Sequence, residues 1–170
     1  MSHRLTIGID PGFTGAIGVL ADGVFADVID MPTCGRGKAG KRAVNAAYLA
    51  SYLREQIAGH SGVYVHGVVE AVGSMPRQGL ASTFRFGQSH GCVLGVLAAL
   101  RIPVLQVTPQ VWKRSYSLIG CDKEASRALA IDRFPDAPLS RKRDDGRAEA
   151  LLLAHWGFRT ESAGTAPAAA

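Results

Sequence analysis

The sequence has few cysteines and no long apolar run. Its three cysteines, Cys34, Cys92 and Cys121, are far apart and odd in number, so they form neither a zinc-binding pattern nor a disulfide framework. No apolar stretch is long enough to span a bilayer, and the first residues lead into a strand-like run rather than a signal peptide. We therefore expect a cytoplasmic protein with reduced thiols and no membrane partner.

Two further patterns are missing from the sequence. There is no internal repeat, and the glycine-rich basic stretch 34–42 is not a P-loop. Its Gly-Lys pairs precede neither Ser nor Thr, and no strand ends immediately before it. We interpret this stretch as a mobile loop, which is either a solvated linker or a segment that contacts nucleic-acid phosphate.

The composition is that of one folded domain. Of the 170 residues, 47% are hydrophobic, which is enough for a real core. We place the domain at residues 1–158 and a disordered tail, rich in Ala, Ser, Thr, Gly and Pro, at 159–170. The net charge of +5 and the pI near 9.4 suit a polyanionic partner, although many soluble proteins reach the same values.

The first strand and the turn after it, residues 6–20, dominate the sequence. An apolar run ends at Asp10, Pro11 and Gly12 force a turn, and a second apolar run begins at Ala16. A carboxylate at the end of a buried strand is costly unless a cation, a metal or hydrogen-bond donors compensate it. The alternative is that Asp10 only caps the turn, as Asp often does before Pro-Gly.

The remaining pattern predicts a strand meander followed by alternating strands and helices, which is an α/β organisation. We predict strands over 24–31, 63–69 and 104–107, and helices over 45–56, 82–100, from Thr108-Pro109 onward, 123–134 and from Asp144-Asp145 onward.

Four acids form a candidate metal site. Glu70, like Asp10, ends a strand-like run, and parallel sheets place sites at the carboxyl ends of strands. Asp145 and Glu149, with Asp144 as a substitute for Asp145, lie four residues apart on one helix face. Such a set suits a pair of Mg²⁺ ions acting on a phosphodiester. Basic residues that could hold phosphate lie between these acids: Arg77, Arg85, Lys113, Arg114, Lys123 and Arg141 to Arg143.

At these motifs the chain resembles the RuvC-type Holliday junction resolvases of the RNase H-like superfamily, in particular their phage-type members. The resemblance covers roughly residues 5 to 156. It rests on Gly8-Ile9-Asp10-Pro11-Gly12 with Thr14-Gly15, Phe86-Gly87-Gln88 with Gly91, Pro109 to Lys113, Gly120 to Lys123, and Asp144 to Leu151.

The resemblance implies roles for individual residues. Asp10, Glu70 and Glu149 match the family's metal-binding acids, and Lys113 and Lys123 match the lysines that contact DNA phosphate near the cut. The family's fourth acid falls here on Gly146, so Asp145 is expected to replace it. The family's aromatic wedge after the catalytic Glu is absent, and Gly73 stands near that position, with Met75 and Phe84 as candidate substitutes. The turn between Gly12 and Thr14 is shorter than in many bacterial members.

The implied fold is RNase H-like, a mixed five-stranded sheet of three antiparallel strands followed by parallel ones, flanked by helices. The implied enzyme is a crossover junction endodeoxyribonuclease that hydrolyses two phosphodiesters with Mg²⁺, for which Mn²⁺ is expected to substitute, and that acts as a homodimer on branched DNA. The small-residue stretch 91–99 would pack either in that dimer or on its own sheet. We expect Arg77, Arg85, Lys113, Lys123 and Arg143 to bind DNA, and Asp10, Glu70, Asp145, Glu149 and Lys123 to serve catalysis.

Other side chains have a plainer interpretation. We expect His66, Trp112 and Trp156 in the core, His90 and His155 in structural positions, and no definite place for Tyr116.

Three alternatives remain. A nuclease for flaps or RNA–DNA hybrids needs the same acids, and a junction-binding protein without cleavage would gain by replacing them with bases. The first strand of an actin-like ATPase or a sugar kinase also ends in an acid and a Gly-Thr-rich turn, but 170 residues are too few for the two lobes of such proteins.

Overall fold

The computed structural model describes residues 3–36, 41–60, 62–71, 73 and 79–162. Its main sheet has five strands: β1 Arg4–Ile9, β2 Ala16–Ala21, β3 Val24–Asp30, β6 Tyr64–Glu70 and β7 Val104–Val107. A separate hairpin pairs β4 Thr33–Arg36 with β5 Lys41–Val44. The helices are α1 Ala46–Gly59, α2 Leu80–Ala99, α3 Pro109–Arg114, α4 Lys123–Arg133 and α5 Asp145–Ser162.

The strand order in the main sheet is β3-β2-β1-β6-β7. β1 pairs antiparallel with β2, and β2 antiparallel with β3, whereas β6 lies parallel to both β1 and β7. The predicted meander followed by parallel strands is therefore confirmed, and so is the mixed five-stranded sheet.

Apolar side chains cover both faces of the sheet. One cluster joins Leu5, Ile7 and Ile9 of β1 to α1 and α2. A second cluster joins Val68 of β6 to α4 and α5, with the buried Trp112 of α3 in it. Because side chains alternate along a strand, β1 supplies one cluster with its odd-numbered residues and turns Gly8 toward α5.

Helix α5 packs unusually close to the sheet at two glycines. Gly8 and Gly18 stand opposite each other in the β1–β2 ladder. A Cβ at Gly8 would collide with the carbonyl oxygen of Ala150, and one at Gly18 would lie 2.9 Å from the amide nitrogen of Leu151. This close approach brings the first turns of α5 to the carboxyl end of β1.

Helix starts agree with the capping residues in the sequence. The Asn45 side chain accepts a hydrogen bond from the Tyr48 amide at 3.1 Å, and Asp122 does the same for Ala125 at 3.0 Å. The helices predicted at 45–56 and 123–134 are thus confirmed within a few residues.

Two predicted boundaries differ from the structure. Residues 33–36 and 41–44, which overlap the stretch 34–42 predicted as a mobile loop, form the β4–β5 hairpin, in which the Arg42 guanidinium bonds the Thr33 hydroxyl at 2.6 Å. Helix α5 continues to Ser162, four residues into the predicted tail, and there the Ser162 hydroxyl accepts a hydrogen bond from the Arg4 guanidinium of β1 at 3.0 Å. The rest of the tail, residues 163–170, lies outside the described residues, as do most of the residues predicted as a loop at 73–78.

Candidate active site

Three of the four predicted acids gather at one edge of the sheet. Asp10 directly follows β1 and Glu70 ends β6, and these neighbouring parallel strands are in register, with Ile9 opposite Val69. Glu149 lies in the second turn of α5, which packs on β1 and β2. Asp10 and Glu149 each raise the pKa of Glu70, and Glu149 raises that of Asp10, so the three carboxylates form one electrostatic cluster.

Asp10 caps its turn and also belongs to this cluster. Its Oδ1 accepts a hydrogen bond from the Gly12 amide at 3.0 Å, and the buried Ser89 hydroxyl of α2 donates to the carbonyl of Pro11. Burial raises the pKa of Asp10, while the Gly12 hydrogen bond and the positive charges of Lys113 and Lys123 oppose this rise. The two interpretations of Asp10 are therefore compatible.

Glu70 is the most perturbed acid of the cluster. Burial, with a contribution from the other two carboxylates, raises its pKa to about 7. Its Oε1 accepts a hydrogen bond at 3.0 Å from the indole nitrogen of Trp112, whose side chain is only 1% exposed. Trp112 lies in the core as predicted, but its contact with Glu70 could not be predicted from the sequence, because 42 residues separate the two.

Glu149 has a cationic partner from the same short helix. The Lys113 ammonium lies 2.6 Å from Glu149 Oε1, and both side chains are largely shielded from solvent. The same ammonium lies 5.1 Å from the centre of the Trp112 ring. Consecutive residues of α3 thus hold two of the three acids.

Asp144 is not an equivalent substitute for Asp145. It is 1% exposed and accepts hydrogen bonds from the backbone and the guanidinium of Arg141 at 2.7–2.9 Å. These bonds outweigh burial and lower the pKa of Asp144. Asp145 begins α5, is half-buried, and forms no hydrogen bond or ion pair with any residue that the structure describes.

The glycine at position 146 has a packing reason. A Cβ there would lie 2.5 Å from the carbonyl oxygen of Thr14 in the β1–β2 turn. An acidic side chain at this position would push α5 away from that turn. Arg147, the next residue, forms a two-pronged ion pair with Asp30 at the end of β3, at 2.6 and 3.0 Å. These contacts fix the start of α5 against the sheet.

Apart from Lys113, the predicted basic residues fall into three groups. Lys123, Arg85, Arg114, Lys142 and Arg143 are exposed, and Lys123 is close enough to lower the pKa of Asp10. Arg141, expected to face phosphate, is instead engaged by Asp144. Arg77 lies outside the described residues, as does Met75.

The remaining aromatic and histidine residues are mostly structural. His66 is 2% exposed, as predicted for the core. The hydroxyl of Tyr116 lies 2.7 Å from Nδ1 of His155. Trp156 is half-buried and packs, like Tyr116, against the apolar cluster that contains Val68 and Trp112. By contrast, Phe84 is 72% exposed near the start of α2.

The acids do not yet form a closed cage for an ion. Among the described residues, no three His, Cys, Asp or Glu side chains are arranged to hold a metal. Trp112 occupies one oxygen of Glu70, and Lys113 occupies one of Glu149. The donor set is nonetheless all carboxylate, which is what Mg²⁺ and Mn²⁺ prefer, and release of these two contacts would free it.

Comparison with solved structures defines the class of fold. The chain matches Thermus thermophilus RuvC in complex with a Holliday junction substrate, with a TM-score of 0.65, 18% identity, and coverage of 98% of each chain. It also matches a Thermus thermophilus RuvC structure with a TM-score of 0.55 and 20% identity, over 96% of this chain and 98% of that one. The fold is therefore the RNase H-like fold of RuvC, as predicted.

A curated relative resembles the chain in sequence. The chain is 36% identical over 123 residues to the chloroplastic Holliday junction resolvase MOC1 of Chlamydomonas reinhardtii. That match covers 71% of this chain and 14% of the relative, so the chain spans only a small part of the relative's length. No family model matches the chain. The resemblance to RuvC-type resolvases that the motifs predicted is confirmed by both the relative and the structures.

Proposed function

We propose that this protein is a metal-dependent endonuclease that resolves Holliday junctions by paired phosphodiester hydrolysis. The observation that carries the proposal is the cluster of Asp10, Glu70 and Glu149 at the carboxyl end of β1 and β6, with Lys113 and Lys123 beside it. Acids that hold cations next to lysines that neutralise phosphate are the two parts that hydrolysis of a nucleic-acid backbone requires.

The comparisons support the same substrate. The curated relative is a Holliday junction resolvase, and the RuvC chain with the higher TM-score was solved in complex with a Holliday junction. We extend this substrate to the present chain as a proposal. The sequence match spans 14% of the relative, and the structural neighbours are 18–20% identical to the chain.

The resident ions would be Mg²⁺, with Mn²⁺ as a substitute. Asp10, Glu70 and Glu149 would hold them, and Asp145 would join from the same face of α5 as Glu149. Bound between these acids, divalent ions would activate water and stabilise the leaving oxygen of the phosphodiester.

The chain's own residues prepare the site. Trp112 holds one oxygen of Glu70 by a hydrogen bond and so restrains this carboxylate within the cluster. Lys113 and Lys123 supply positive charge around the acids and attract the phosphate backbone. Arg85 and Arg143, both exposed, would extend this contact along the DNA arms, and Arg77 is assigned the same role on sequence grounds alone.

We further propose a homodimer, because each junction presents two symmetric strands to cut. Helix α2 buries Ser89, Val93 and Leu97 and so presents its opposite side outward. On that side a Cβ added at Gly87, Gly91 or Gly95 would meet nothing within 4 Å. This open side suits close packing on a second copy of α2, which would place two active sites on one junction. Gly91→Glu should shift the mass in light scattering from dimer to monomer, whereas an unchanged mass would reject this face.

The decisive experiment compares labelled four-way junction, flap and linear duplex DNA in Mg²⁺, in Mn²⁺ and in EDTA. Paired, metal-dependent nicks in the junction alone would establish a resolvase. Cutting of flaps as well would move the protein to a broader branched-DNA nuclease. Tight junction binding without cutting in either metal would support a non-cleaving binding protein and overturn the proposed chemistry.

A cytoplasmic location stays a prediction. None of the described helices is long and apolar enough to cross a membrane.

A further inference from the structure

One cation already lies inside the acid cluster, and it belongs to the protein. Among the described residues, Lys113 is the only positively charged side chain in direct contact with Asp10, Glu70 or Glu149. Its ammonium lies 2.6 Å from Glu149 Oε1 and above the ring of Trp112. Lys123, by comparison, acts on Asp10 only through its field.

The position of this ammonium conflicts with a bound divalent ion. Glu149 cannot give the same oxygen to Lys113 at 2.6 Å and to a metal without placing two positive centres against each other. The repulsion is strong because Glu149 and Lys113 are only 15% and 25% exposed. Without any cation, however, three carboxylates would repel one another in a partly buried edge.

We propose that Lys113 is a built-in counter-ion that holds Glu149 in the metal-free protein and is displaced when a divalent ion binds. This inference rests on the proposed function, because it takes Glu149 to be a metal ligand. The displaced ammonium stays tethered to α3 and becomes free to contact a DNA phosphate. Metal binding and phosphate binding are then coupled through one side chain, since each favours the state in which Lys113 has left Glu149.

The proposal fixes the sign of an effect on metal affinity. Contact with Lys113 reduces the fraction of protein in which Glu149 is free for a metal, and this weakens the apparent affinity by the same factor. Lys113→Met keeps most of the side-chain length and removes the charge. Titration of the DNA-free protein with Mn²⁺ in a calorimeter should therefore show an affinity at least about threefold higher than that of the wild type. In EDTA the same variant should melt at a lower temperature, because Glu149 loses its partner.

Lys123→Met is the matched control, because it removes the same charge from the same region without breaking a contact to an acid. Its Mn²⁺ affinity should rise clearly less. The inference is overturned if Lys113→Met binds Mn²⁺ no more tightly than the wild type, or if the two variants gain equally. Absence of Mn²⁺ binding in the wild type and in both variants would instead reject the metal site of the proposed function. Circular dichroism of each variant confirms that it is folded before titration.

Discussion

Two groups of carboxylates flank the start of α5, and their pKa values are shifted in opposite directions. Asp144 and Asp30 each pair with an arginine, Arg141 and Arg147, and both have a lowered pKa. Asp10 and Glu70 lie among other acids, and both have a raised pKa. The side chains are chemically alike, so the difference comes from their surroundings: burial, with a smaller contribution from neighbouring acids, raises the pKa of Asp10 and Glu70, whereas the arginine contacts lower the pKa of Asp30 and Asp144.

The comparison separates acids that hold the fold from acids that the proposed function assigns to a metal. A carboxylate with its own guanidinium is satisfied and stabilises the folded state. A carboxylate that is buried among others costs stability until a cation arrives, and groups of this kind concentrate at functional sites. Asp30 and Asp144 form the arginine-paired group, and their arginines fix the start of α5. Helix α5 in turn places Glu149 beside Asp10 and Glu70, which together form the unsatisfied group. Each prediction below tests one side of this division.

The largest effect is expected at Asp10, which belongs to the unsatisfied group. Asp10→Asn should lower junction cleavage by at least about a hundredfold, since it removes a ligand and a charge from the reacting site. Junction binding should be unchanged or tighter, because a negative charge near phosphate is lost. Gel-based cleavage and band-shift assays measure the two effects separately.

Asp30→Asn is the control for that experiment, because it changes an acid of the arginine-paired group. It should lower the melting temperature and leave most of the cleavage intact. Normal cleavage by Asp10→Asn would show that the active site has been assigned to the wrong acids.

Glu70→Gln should abolish cutting and yet stabilise the metal-free protein. The pKa of Glu70 is raised from 4.5 to about 7, so the folded state favours its protonated form. This carboxyl therefore destabilises the fold increasingly as the pH rises from about 4.5 to about 7, and it costs nothing below that window. Removing it should raise the free energy of unfolding at pH 8 by about 3 kcal/mol.

Urea unfolding in EDTA at pH 8 and at pH 4 measures this gain. The gain should be present at the higher pH and vanish at the lower one. A loss of stability at pH 8 would mean that the hydrogen bond from Trp112 outweighs the burial of the charge.

Asp144→Asn should act in the opposite direction and more weakly. Because the pKa of Asp144 is lowered by Arg141, its stabilising effect is present above its ordinary pKa of about 4 and lost at lower pH. The variant should melt below the wild type from pH 5 to 8, with a difference that shrinks below about pH 4. Thermal melts across this range test the sign, and a higher melting temperature at pH 7 would remove Asp144 from the arginine-paired group.

The sequence was sufficient for the sheet and for three of the acids. Strand ends at Asp10 and Glu70 are visible because apolar runs stop there, and parallel pairing brings such ends together without further information. Neither the Trp112–Glu70 contact nor the Lys113–Glu149 contact was predictable, because each joins residues far apart in the chain through the packing of a six-residue helix.

The choice between Asp144 and Asp145 shows a second limit. Adjacent acids at the start of a helix look equivalent in sequence, although the spacing of Arg141 and Asp144 was a signal for a local ion pair. The reason for glycine at position 146 is purely spatial, since it depends on the carbonyl of Thr14 in a distant turn. Close approach of backbone to backbone leaves no periodic pattern in the sequence.

The smallest effect is expected at Lys123, which neutralises the unsatisfied group from a distance. Lys123 begins α4, is exposed, and lowers the pKa of Asp10. If it contacts one DNA phosphate, Lys123→Met should reduce the slope of log affinity against log salt concentration by about 1. Arg54→Met, an exposed charge on α1 across the sheet, should leave that slope unchanged. Fluorescence anisotropy with a four-way junction at several salt concentrations gives both slopes, and equal slopes for Lys123→Met and the wild type would confine Lys123 to the field around Asp10.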